Sequence, residues 1–306
     1  MKIGLNTYSI KDNWQELGNT QEERIRATIA LCNDMDIDQL EFFDAHFDVK
    51  DLTAHVKTFN DAGINVFSIG PHVPLLVKPD KAREKIEEAS KWLNLAHDAG
   101  VPMVRFNLGD APLPRLMAPD EDYDEEDWEE YREMIATAIE VTGHVINPLI
   151  EIAERLDTMI GIETHRSYSS DHEYMALFEK EYPSKNLGWI FDIGNYDNDE
   201  MRWKALDVIK KNTKYAHAKT YAFDDAGHET TLDYPKAFKI LHEAGFKGIW
   251  SIECQPKVIG ILCALRTNEL CKYSLAKVQG NDYKMKVDFL PADALLKAYQ
   301  DKGKGI

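Results

Sequence analysis

Thr158-Met-Ile-Gly-Ile-Glu163, Leu187-Gly-Trp-Ile-Phe-Asp192, Tyr215-Ala-His217-Ala-Lys219 and Gly248-Ile-Trp-Ser-Ile-Glu253 are short apolar runs, each carrying Glu, Asp or His at or near its end. Their polar residues Glu163, Asp192, His217 and Glu253 lie 29, 25 and 36 residues apart. Each interval is about the length of one β-strand with its returning helix. Parallel strands in a barrel point all their C-terminal ends at one mouth, so residues at those ends converge. The spacing therefore predicts two glutamates, an aspartate and a histidine in one place.

Working outward, one pattern repeats: a helix end, an acidic-Ala-Gly stop, then an apolar strand. It occurs at Asn60-Asp-Ala-Gly63, His97-Asp-Ala-Gly100 and His242-Glu-Ala-Gly245. Glycine just past a helix caps its orphan carbonyls in the left-handed conformation. Eight apolar runs read as strands: Ile3–Tyr8, Gln39–Phe43, Asn65–Ile69, Met103–Asn107, Thr158–Glu163, Leu187–Asp192, Tyr215–Lys219 and Gly248–Glu253. Eight strands alternating with helices, among them 80–99 and 131–156, predict a single-domain (β/α)8 TIM barrel. An open doubly wound sheet would share this alternation, but no GxGxxG follows the first strand. The barrel core is expected over about 1–256 and a C-terminal helical extension over about 257–306.

Bulk composition sets the function classes. A chain of 306 residues, 44% of them hydrophobic, can bury a full core as one domain. The net charge of −17 argues against nucleic acid or an anionic membrane as partner, since both call for a cationic face. No apolar run approaches the roughly 18 residues of a spanning helix. The start, Met1 to Tyr8, reads as a strand rather than a signal peptide, so a cytoplasmic protein is expected. Cys32, Cys254, Cys263 and Cys271 form no CxxC pair, which disfavours zinc-ribbon and redox-motif readings. The acidic stretch Ala118–Glu130 reads as a solvated loop running into a helix whose first turn favours carboxylates.

Carboxylate oxygens and one imidazole with open positions suit Mn²⁺, Mg²⁺ or Co²⁺ better than a closed zinc site. The strings Gly161-Ile-Glu-Thr-His165, Phe191-Asp-Ile-Gly-Asn195, Tyr215-Ala-His-Ala-Lys219 and Ser251-Ile-Glu253 resemble the metal-site strands of the sugar phosphate isomerase/epimerase superfamily, the xylose isomerase-like TIM barrels. The resemblance spans the whole barrel, from Lys2 to Glu253. It implies that Glu163, Asp192, His217 and Glu253 ligate one divalent ion, Mn²⁺ first, with Mg²⁺, Co²⁺ or Zn²⁺ as the other candidates. It further implies that Glu163 and Glu253 flank a small carbohydrate substrate as the groups that move its proton. Two departures stand out: many epimerases of this group carry histidine where this chain has Asn195, and an acidic residue where it has Thr220. The DNA-repair relatives need a three-metal cluster with more histidines than these strands hold.

The expected reaction is isomerisation or epimerisation of a ketose or keto-sugar derivative, by proton abstraction next to a carbonyl. A lyase on the same scaffold is the alternative: a keto-inositol dehydratase, or a 3-oxo-glycoside or C-glycoside deglycosidase subunit. Further mouth candidates follow from position. His165 is a candidate acid/base two residues past Glu163; Asn195, Lys219, His72, Asn107, Arg166 and Asn6 are candidate substrate contacts, with Glu41, Asp44 and His46 as further readers of hydroxyls. Tyr8, Phe43, Phe67, Phe106, Trp189 and Trp250 read mainly as packing, with an apolar wall for a sugar face as the other reading. The long tail leaves room for a homo-oligomer contact or a small second subunit.

Overall fold

The computed structural model describes residues 1–109, 124–255 and 259–305. Eight parallel strands close on themselves in sequence order: β1 (Lys2–Asn6), β2 (Gln39–Phe43), β3 (Asn65–Gly70), β4 (Met103–Phe106), β5 (Met159–Glu163), β6 (Leu187–Asp192), β7 (Thr213–Thr220) and β8 (Ile249–Cys254). The ring is shut by β1 against β8, with Lys2 opposite Ile249 and Leu5 opposite Ile252. Helices α1 (Gln21–Met35), α2 (Leu52–Asp61), α3 (Ala82–Ala99), α4 (Glu125–Leu156), α5 (His172–Glu181), α6 (Asp199–Ile209), α7 (Tyr234–Glu243) and α8 (Gly260–Val278) follow their strands in turn. The chain is thus a (β/α)8 barrel. None of its described helices is long and apolar enough to cross a membrane.

Local chemistry sets the boundaries. The three repeated stops end α2, α3 and α7, with Gly63, Gly100 and Gly245 at φ of 81°, 73° and 86°. Side chains carrying a Cβ disfavour that region, which is why glycine recurs there. The first strand is shorter than its apolar run. The Asn6 carboxamide accepts the Tyr8 N–H at 2.9 Å and starts a 3₁₀ turn at Thr7, taking Thr7 and Tyr8 out of the sheet. Of the acidic stretch, 118–123 lie outside the described residues. The remainder opens α4, where Asp124 caps Glu126 and Asp127 and the side chain of Asp127 returns to the Asp124 N–H.

The C-terminal helix α9 (Ala292–Lys304) lies against α1 rather than against the sheet. Tyr299 donates to Asp34 at 2.9 Å, Lys302 pairs with the same carboxylate, and Arg26 donates to the Gly303 carbonyl at 2.7 Å. A Cβ on Gly303 would stand 2.6 Å from the Glu23 carbonyl oxygen, so glycine permits this close approach.

Inside the barrel, side chains from alternate positions stack in layers. The lower layer is apolar: Phe67, Ile190 and Tyr215 pack together, with Met103 and Ile249 against them. Gly161 makes room for Ile190, whose Cδ1 would come 2.6 Å from a Cβ there. Above this plug the interior turns polar and charged. The apolar faces of Trp189 and Trp250 point outward instead, against Phe178 and Phe238 of the helical ring.

Candidate metal centre

Glu163, Asp192 and Glu253 each stand on the last turn of pleat of β5, β6 and β8, and His217 stands inside β7 opposite Asp192. Each offers one ligand atom, and those atoms all lie within 4.8 Å of one another. All four residues are buried. His217 Nδ1 is the focus: it lies 3.3 Å from Glu163 Oε1, 3.5 Å from Asp192 Oδ2 and 3.3 Å from Glu253 Oε2, yet has no hydrogen-bond partner.

The other imidazole nitrogen explains that orientation. Nε2 meets Glu41 Oε2 at 3.0 Å beneath the centre. A carboxylate only accepts, so Nε2 carries the hydrogen and the Nδ1 lone pair is turned toward the three carboxylates. Glu41 is itself fixed on all sides, accepting from Ser251 Oγ at 2.8 Å, Tyr215 OH at 2.8 Å and Arg105 Nε at 3.1 Å. Arg105 reaches past it to ion-pair with Glu163. A carboxylate behind a histidine is the arrangement that sets tautomer and ring angle in metal sites.

Charge bookkeeping gives the same answer. With His217 neutral, Glu41, Glu163, Asp192 and Glu253 are countered among the described residues by Arg105 and Lys219, leaving two negative charges in a buried volume. Burial opposes ionisation of Glu163, but Arg105 and then His217 outweigh it and hold the carboxyl well below the usual carboxylate range. Burial likewise opposes charge on Glu253, which His217 and Lys219 nonetheless keep below its ordinary value. Burial works against a charged His217 as well, yet Glu253 and Glu41 raise it well above the usual imidazole range, so without a cation the carboxylates draw a proton onto Nδ1, and a metal ion would take that proton's place. The centre calls for positive charge at Nδ1. Three convergent carboxylates, one inward lone pair and a deficit of two charges fit a divalent cation.

A cavity of about 450 Å³ opens above the centre, lined among others by Tyr8, Phe43, Asp44, His72, Asn107, Glu163, His165, Lys219 and Glu253. It lies at the C-terminal end of the strands, where loops of a barrel gather. His165 and His72 are exposed side chains on its wall, and Asn107 is buried at its edge. Tyr8 and Phe43 meet edge to face at 5.2 Å and form the apolar side. Phe67, Phe106, Trp189 and Trp250 are core instead.

Several expected substrate contacts have other tasks. Asn6 Nδ2 donates to Glu253 Oε2 at 3.0 Å, and Asn195 Nδ2 donates to Asp192 Oδ2 at 2.9 Å and the Thr164 carbonyl at 3.1 Å. Their amides hold the carboxylates in place, and neither residue lines the cavity. Lys219 does both: Nζ binds Asp192 and Glu253 and also faces the cavity. Burial disfavours its charge, but Asp192 and Glu253 keep it firmly an ammonium. Arg166 is exposed and stands outside the cavity lining, because the chain turns through left-handed φ values of 61° and 51° at Arg166 and Ser167. His46 is buried and stacked on Trp14 at 4.3 Å outside the cavity lining, with burial pushing its pKa down to about 3. Glu41 lies below the ligands rather than at the mouth.

Arg105 was the residue that spacing alone did not single out. Its signal is a charge inside the apolar string Met103-Val-Arg-Phe106, as Glu41 is inside Gln39-Leu-Glu-Phe-Phe43. A buried charge in a strand demands a partner, and these two are partly each other's.

The family model for the xylose isomerase-like TIM barrel matches residues 29–264. No curated protein sequence gives a match. Among solved structures the chain is similar to a sugar phosphate isomerase/epimerase from Parabacteroides distasonis ATCC 8503, with 17% identity and a TM-score of 0.62 over 90% of this chain and 94% of that one. It is similar to the 3-keto-D-glucoside 4-epimerase from E. coli, with 16% identity and a TM-score of 0.59 over 92% and 99%. The mannonate dehydratase from Streptococcus suis serotype2 superposes with 16% identity and a TM-score of 0.57 over 95% and 99%. At such identities the likeness concerns the fold. Matched over most of its length by the family model, the chain belongs to the xylose isomerase-like TIM barrel family.

Proposed function

We propose that this protein is a divalent-metal-dependent sugar isomerase or epimerase acting on a ketose or keto-sugar derivative. The observation that carries the reading is the convergence of Glu163, Asp192, His217 and Glu253 around the unpartnered His217 Nδ1 at the floor of a cavity of about 450 Å³. A divalent ion held by these four residues, Mn²⁺ first, would supply Lewis-acid polarisation of the substrate carbonyl and offset the charge of an enediolate.

The chain's own groups do the rest. Glu163 and Glu253 both line the cavity and both are held ionised, Glu163 by Arg105 and Glu253 by His217 and Lys219. Either carboxylate can take the proton next to the carbonyl, and the other, after drawing a proton from solvent, can deliver it to the substrate. Return to the opposite face of the same carbon is epimerisation; return to the neighbouring carbon is isomerisation. Lys219, locked as an ammonium, cannot serve as the base but can hold a substrate oxygen. His165 and His72 on the wall can bind hydroxyls, and His165 can pass a proton. Tyr8 and Phe43 offer the apolar side to a sugar face.

A lyase on this scaffold is the second reading. It is favoured by Asn195, whose amide is spent on Asp192 and cannot act as a further base. Turnover of ketoses and keto-glycosides in D₂O tests both. Deuterium entering a substrate C–H position with no fragment released is the expected result. Release of water or an aglycone would point to the lyase, and turnover with every C–H hydrogen retained would count against proton abstraction.

A further inference from the structure

A second cavity of about 490 Å³ adjoins the first and shares His72, Asn107 and His165 with it. The two compartments differ in chemistry. The inner one is lined by the carboxylates of Asp44, Glu163 and Glu253, with Arg105 and Lys219 paired to the latter two. The outer one has no carboxylate among its described lining residues and presents Lys78 and Lys81 beside Pro74, Leu76 and Val77. That contrast occurs in a chain with 53 acidic against 36 basic residues. Glu84 stands 3.3 Å from Lys81 on the following helix. At the junction, Asn107 is 5% exposed and its Oδ1 has no hydrogen-bond partner. A buried acceptor left unpaired costs stability unless a ligand donor meets it.

From these features, and resting on the proposed sugar chemistry, we infer that the two compartments take one substrate in two parts. The reacting keto-sugar occupies the inner compartment, a hydroxyl of it donates to Asn107 Oδ1 at the junction, and a ring-sized apolar substituent bearing an acidic group fills the outer one. Size supports a second moiety, because pockets of roughly 300–1,000 Å³ hold drug-sized ligands, and each compartment separately reaches that range. A lone phosphate would leave the apolar wall of Pro74, Leu76 and Val77 uncovered. An aryl acid meets both the wall and the lysines.

The test is calorimetric titration of the Mn²⁺-loaded protein with two probes, the methyl and the 4-carboxyphenyl glycosides of 3-keto-D-glucose. The carboxyphenyl probe is expected to bind at least ~10-fold more tightly, the gain from burying one ring and pairing its charge. Lys78→Glu, an exposed position, and Val77→Trp, which fills the outer compartment, should each remove most of that gain and leave the methyl probe within about twofold. Equal affinity for the two probes, or an advantage indifferent to both substitutions, overturns the two-part substrate while leaving the sugar reading intact. Failure of both probes to bind overturns the keto-glycoside as occupant of the inner compartment, and the two-part substrate with it.

Discussion

The two halves of the barrel divide the labour of the centre. Strands β5 to β8 contribute every candidate ligand: Glu163, Asp192, His217 and Glu253. Strands β1, β2 and β4 contribute groups that hold those ligands from across the barrel, Asn6 on Glu253, Glu41 on His217 and Arg105 on Glu163, while Lys219 of β7 and Asn195 after β6 hold Asp192 from the ligand half itself. One half is arranged around a point that lacks positive charge, and the other braces it with Asn6, Glu41 and Arg105. A ligand set of mutually repelling carboxylates cannot keep its geometry alone. Arg105 and Asn6 of the opposite half, with Lys219 of its own, supply the compensating charge and hydrogen bonds that allow it to stay buried.

If that division is right, substitutions in the two halves should differ in kind and in size. The largest effect is expected for His217→Ala. Metal content, measured by elemental analysis after Mn²⁺ loading and desalting, should fall from about one ion per chain to none, and turnover should drop by ~10³-fold or more. An unchanged metal content would remove the centre from the account.

Glu41 sharpens the comparison because it lies outside the lining of the cavity above the centre and still faces His217 Nε2. Glu41→Ala leaves Arg105 with Glu163 alone among its carboxylate partners, and a loss of about 3–5 kcal/mol in denaturant unfolding is expected. Glu41→Gln keeps the shape and should cost less stability, but metal affinity should weaken by about 10–100-fold, since an amide orients the imidazole less firmly. A Glu41→Gln protein that binds Mn²⁺ as tightly as the parent would show that the holding half is mere packing. The smallest effect is expected for Asn195→Ala, which removes one hydrogen bond to Asp192. Metal affinity should fall by about tenfold at most, with metal content at saturation retained; a loss as severe as that of His217→Ala would make Asn195 part of the ligand set.

The same division governs what could be read from the chain. The ligand half was legible because each of its residues ends or interrupts an apolar run at regular intervals, and parallel strand ends converge whatever the side chains between them. The barrel itself followed from the same runs, and the glycine stops at Gly63, Gly100 and Gly245 marked where three helices give way to strands. The holding half was only partly legible. Asn6 and Glu41 drew notice as strand residues able to meet a sugar, yet both face ligands instead. Arg166 follows the strand end one residue after His165, but the left-handed turn at Arg166 and Ser167 puts only His165 on the cavity wall.

The amino-acid sequence by itself determined the strand-helix alternation, the closure number and the four residues that meet, because hydrophobic period and element length are local properties. Only the tertiary structure decided which polar residues face the cavity and which face each other. Glu41, Arg105 and His217 lie on strands β2, β4 and β7, far apart in the chain, and their pairing depends on the register of the closed sheet. A shift of one residue in a strand turns each side chain to the opposite face, so the division between holder and reader was set by packing.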